Sequence, residues 1–224
     1  MTNTLHRFGA LETFQDDYIV FAMAARGIND ADAPAKLQEF LRLALKHHPI
    51  NVGNSLKGAM YQASSSLTPL AHWRRKDAVD PEEVVKSIDD STTVAAVFDQ
   101  PADVEALLLD LRRADLGISI NISSLTEGAR ACCRRAGITR HSVSYSLGFH
   151  GDLNLLPDRH VLELSTMCGH GMISHNLAKK MMELVREGRR TPQQAAICMA
   201  RFCTCGVFNP SRAMRILDET RTGR

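Results

Sequence analysis

Four of the six cysteines in this 224-residue chain stand in two short segments. One is Met167-Cys168-Gly169-His170-Gly171-Met172. The other runs from Cys198 through Cys203-Thr204-Cys205-Gly206. Thiolates are soft ligands, and three of them close together suit a soft metal ion or an iron–sulfur cluster. Glycines beside Cys168 and Cys205 let backbone N–H groups approach a bound group that side chains would keep away. Gly169, Gly171 and Gly206 are therefore counted with the cofactor-binding residues.

The spacing predicts Cys168, Cys203 and Cys205 as ligands, with Cys198 either a fourth ligand or a core residue of its helix. It matches neither the two-pair zinc pattern nor a ferredoxin run. A cysteine-rich set opening onto helix starts favours an iron–sulfur cluster, of the [4Fe-4S] type, over zinc. Three ligands would leave one iron open to act as a Lewis acid on a substrate oxygen or sulfur. The expected function is then a metalloenzyme working on a small molecule as a non-redox lyase or sulfur-removing enzyme. Fourfold ligation points instead to electron transfer. The alternative is a zinc-binding or thiol-redox regulatory module.

Three histidines are candidate acid/base groups. His170 lies inside the first loop, and His175 lies one turn into the helix that follows. His150 sits between Gly148 and Gly151. The positive end of that helix is expected to oppose protonation of His170. Cys132 and Cys133 are neighbours in an amphipathic helix and read as packing. Asn51 to Gly58 lacks the spacing of a phosphate loop, and there is no nucleophile elbow.

Apolar residues make up 44% of the chain and charged residues 23%, with a net charge of +2. That balance, with its arginine doublets scattered, argues against nucleic acid as a partner. No apolar run is long enough to span a bilayer, and Met1 to Gly9 has no apolar signal core. A cytoplasmic protein with reduced cysteines is expected, with a homo-oligomer left open.

Positioning these residues requires an α/β (α+β) fold, a small mixed sheet covered by helices. The N-terminal part, 1–75, reads as helical, with helices over Leu11–Ala25 and Ala35–His47 and a loop and short helix over Asn51–Ser66. The polar stretch Trp73–Pro81 is the expected seam to an α/β part, 76–224, carrying the cysteines, unless the whole chain is one domain. There, Asp80-Pro81 opens a helix. Strands are expected at Thr93–Phe98, Leu116–Ile122, His141–Leu147 and His160–Ser165, with helices at Pro101–Ala114 and from a Ser124/Glu127 capping box to Ala136. Three helices close the chain, over Met172–Glu187, from Thr191-Pro192, and from Asn209-Pro210.

Overall fold

A computed structural model describes residues 5–61, 78–146 and 148–222. Most of the expected seam, the Arg74-Arg75 doublet and the end of the 51–66 segment lie outside them.

A five-stranded sheet lies at the centre, in the order β3-β2-β4-β1-β5. Its strands are β1 (Tyr18–Met23), β2 (Asn51–Asn54), β3 (Gly58–Ala59), β4 (Thr93–Phe98) and β5 (Ser119–Ser123). Every pairing is antiparallel, so the sheet is not mixed in direction as expected. β4 lies between β2 and β1, so strands from either side of the expected seam interleave.

Helices cover both faces. On one side pack α2 (Ala33–Leu45), α3 (Pro81–Lys86), α4 (Pro101–Ala114) and α5 (Thr126–Arg135), against Val20, Ala22, Val94, Ala96 and Phe98. On the other pack α6 (Arg159–Ser165), α7 (His175–Arg186), α8 (Pro192–Ala200) and α9 (Pro210–Thr222), against Ile19, Phe21, Ala95 and Val97. The mixed α/β class expected from sequence is the one found.

Two buried faces explain one correction. Leu11–Ala25 is not one helix: a single turn, α1 (Leu11–Phe14), is followed by β1. A strand covered on both sides carries apolar residues throughout, and Tyr-Ile-Val-Phe-Ala-Met gives no period-2 signal. Similarly, β2 and β3 occupy what was expected to be loop.

His160–Ser165 is helix α6, not strand. The Asp158 carboxylate accepts from the His160 N–H at 3.0 Å, and Arg159 reaches Glu163 one turn on at 2.8 Å. These two local bonds outweigh the strand propensity of a short apolar run. The described residues of His141–Leu147 form no strand either. They are exposed, and no neighbour pairs with them. At α5 the helix starts with Leu125 as N-cap and has no side-chain cap, since the Ser124 hydroxyl bonds the Leu125 carbonyl instead.

The expected caps hold elsewhere. Asp80 accepts from the Glu82 N–H, Thr191 and Gln194 complete a capping box, and Asn209 accepts from the Arg212 N–H at 2.8 Å.

A buried charge network ties the C-terminal helices to β1. Asp17 accepts from Arg7 at 2.7 Å and from Arg212 at 2.9 Å. Arg212 also meets Glu163 at 3.4 Å, and its guanidinium lies 3.7 Å from the centre of the Phe14 ring. Burial pushes the Asp17 carboxyl up, but Arg7 and Arg212 outweigh it and hold the group below its ordinary range.

Candidate functional site

Cys168 lies in the turn that links α6 to α7. Gly169 and Gly171 both have left-handed backbone, with φ of +71° and +67°. This tight path turns the N–H groups of His170 and Met172 back onto the Cys168 sulfur, where both donate. Ser174 then caps α7 through the Leu177 N–H.

Cys203 and Cys205 lie in the turn between α8 and α9. Gly206 is left-handed too, with φ of +71°. Its Cα side is pressed against β2: a Cβ there would stand 2.5 Å from the Gly53 Cα and 2.6 Å from the Val52 carbonyl carbon. A Cβ on Gly53 would in turn strike the Cys205 carbonyl. Two glycines facing each other let this turn lie directly on the sheet. Next to them, the Asn51 side chain donates to the Phe208 carbonyl at 2.9 Å and fixes the strand against the chain leaving the turn.

The two turns meet. Cys203 and Cys205 sulfurs are 3.7 Å apart, Cys203 hydrogen-bonds Cys168, and the Cys205 sulfur is 3.2 Å from His170 Nδ1. All three thiols are buried and none is in a disulfide. The two cysteine turns are therefore neighbours in the fold.

Their ionisation follows from position. Hydrogen bonds to Cys168 and Cys205, with burial, hold the proton on the central Cys203 and push its thiol well up. Cys205 falls to about 5, through the bond from Cys203 and then the bond from His170. Cys168 falls to about 6, through the bond from Cys203 and then the two backbone N–H groups. Burial opposes both shifts but does not overcome them.

His170 departs from expectation. Its imidazole is pushed up, first by the bond to the Cys205 thiolate. A thiolate at 3.2 Å outweighs the diffuse positive end of a helix whose first residue lies five positions on. Its other nitrogen, Nε2, is buried without a hydrogen-bond partner among the described residues. Beside it lies an apolar void of about 10 Å³, bounded by Leu5, Phe21, Ala95 and Val207 as well as His170 and Cys205.

The remaining candidates fall elsewhere. His175 is the first residue of α7 and exposed, and His150 is exposed in the loop before the short 3-10 turn Leu153–Leu155. Cys198 lies half-buried on α8, packed against the C-terminal core, and has no hydrogen bond to the other thiols. Cys132 and Cys133 are buried on the far side of the sheet, where burial pushes both thiols up. Gly53 and Asn51, which seat the second turn, lie in a stretch expected from sequence to be loop, and nothing there marked them as its partners.

No family model, curated protein or solved structure matches this chain.

Among the described residues, no group of three or more His, Cys, Asp or Glu side chains is placed to hold a metal ion. The side chains gathered here are of the soft, sulfur-rich kind. They offer three sulfurs from two glycine-shaped turns, N–H donors aimed at two of them, and one imidazole nitrogen with no hydrogen-bond partner among the described residues.

Proposed function

We propose that Cys168, Cys203 and Cys205 hold a metal group, an iron–sulfur cluster, and that the chain is a metalloenzyme acting on a small molecule as a non-redox lyase or sulfur-removing enzyme. The observation that carries this reading is the meeting of three buried thiols from two glycine-shaped turns, two of them with lowered pKa. Three sulfurs serve three positions, and a cluster held so would supply a Lewis-acidic site for a substrate oxygen or sulfur. The N–H groups of His170, Met172 and Val207 stabilise the thiolates and lower the cost of burying their charge. His170 holds its proton beside Cys205, and its Nε2, without a hydrogen-bond partner among the described residues, is the group to give or take a proton.

A second reading, one zinc ion, is favoured by a single distance. Thiolates about 2.3 Å from one tetrahedral ion stand about 3.8 Å apart, and Cys203 and Cys205 are 3.7 Å apart.

Anaerobic purification followed by metal and sulfide analysis decides between them. Iron with acid-labile sulfide and a broad visible band, lost in C168S, C203S and C205S, is the expected result. One zinc in a colourless protein establishes the second reading. A protein that takes up neither on reconstitution overturns the metal assignment and leaves the trio to thiol redox chemistry.

A further inference from the structure

A second and much larger cavity, of about 660 Å³, lies beside edge strand β5, between it, the start of α5 and the exposed segment 139–146. That volume is in the range of small-molecule sites. Its lining is not neutral. Two arginines, Arg112 and Arg140, line it against one carboxylate among the described residues, Asp115, and His6 and His141 add ring nitrogens. Hydroxyl groups are dense there too, from Ser119, Ser123 and Ser124 on one side and Ser142, Ser144 and Ser146 on the other. Helix α5 begins at this cavity, with Ser124 and Thr126 in its wall, and is without a side-chain cap, so its first N–H groups keep donor capacity.

The cavity also abuts the thiol site. Leu5 and Phe21 line both it and the small void against His170 and Cys205. The Leu5–His6 stretch is seated on the Cys168 turn, with the His6 N–H donating to the Gly169 carbonyl at 3.4 Å. A Cβ on Gly169 would meet Leu5 at 2.8 Å. Two side chains therefore separate a polar, cationic cavity from the sulfur cluster.

We propose that this cavity binds a small organic anion, a hydroxylated or unsubstituted carboxylate, and that it is the substrate site of the thiol centre. Arg140 is the specificity residue. Among the described residues its guanidinium has one long bond, 3.4 Å to the Thr126 carbonyl, which leaves donors for a ligand. Arg112 is more committed, at 3.1 Å to the Ala136 carbonyl, and helps to shape the wall. The serines suit hydroxyl or carboxylate oxygens of the same ligand. The role as substrate site rests on the metal reading above; the anion site itself does not.

The test is calorimetric binding of succinate to the full chain, with succinamide as the uncharged isostere. Succinate should bind saturably and succinamide should not. Arg140→Gln should weaken succinate at least tenfold with an unchanged circular dichroism spectrum, while Arg140→Lys should retain part of the affinity. Absence of succinate binding, equal binding of succinamide, or undiminished binding by Arg140→Gln each overturns the proposal. Metal content measured in the same samples is independent of these outcomes, so failure of the anion site is distinguishable from failure of the metal reading.

Discussion

Replacing Gly206 by alanine tests whether the second cysteine turn truly lies on the sheet. Two costs add. The residue has φ of +71°, where an L side chain is strained by about 1–2 kcal/mol. Its new Cβ would also stand 2.5 Å from the Gly53 Cα and 2.6 Å from two further backbone atoms of β2, the Gly53 nitrogen and the Val52 carbonyl carbon. Ordinary carbon contacts are about 3.5 Å, so turn and strand must part by roughly 1 Å. Overpacking of this kind costs about 1–3 kcal/mol. The sum is about 2–5 kcal/mol, a large share of typical stability. Gly171→Ala supplies the control, because φ there is +67° and nothing lies within 4 Å. It should cost only the conformational part. With a urea slope of about 2–3 kcal/mol/M, Gly206→Ala should lower the unfolding midpoint by about 1 M or more, and Gly171→Ala by about half that. Equal midpoint shifts in the two variants would refute the close approach of the turn to β2.

In the metal-free protein, thiolate ultraviolet absorbance should already rise near pH 5–6, from Cys205 and Cys168, and the lower step should vanish in C205S. A single rise near the ordinary thiol value of 9.0 would contradict the shared-proton arrangement. Lowered folded pKa values mean that these two thiols add stability as pH rises from about 5 towards 9.0 and lose it as pH falls, while His170, raised, contributes in the opposite sense. Asp17→Asn leaves Arg212 buried with its closest carboxylate gone and should cost about 3–5 kcal/mol in denaturant unfolding. A loss under about 1 kcal/mol would show that the network carries no such load. The wild-type Asp17 contribution is present above pH 3.8 and falls away only as pH drops through its lowered pKa. Cys198→Ala should cost about 1 kcal/mol and leave metal content unchanged; loss of metal would make it a ligand.

Local signals in the sequence set much of the frame. Thr93–Phe98 and Pro101–Ala114 are the element bounds found, because a β-branched run and a proline-led amphipathic stretch are read without knowledge of neighbours. The caps at Asp80 and Thr191 are likewise contained in three or four residues. The turns at the two cysteine segments were also legible, since Gly169, Gly171 and Gly206 all take the left-handed backbone that favours glycine.

Tertiary structure decided what depends on distant partners. Whether Tyr18–Met23 is strand or helix turns on its pairing with Thr93–Phe98 and Ser119–Ser123, and burial on both faces removes the alternation that would have marked it. The state of His170 was set by a cysteine 35 positions away, which reversed the effect expected from the adjoining helix. Gly53 and Asn51 matter only because β2 lies beneath the second turn. Sequence named the donors, since side-chain chemistry travels with the residue. Packing fixed their protons, since a proton's place depends on which charges and dipoles the fold sets beside it.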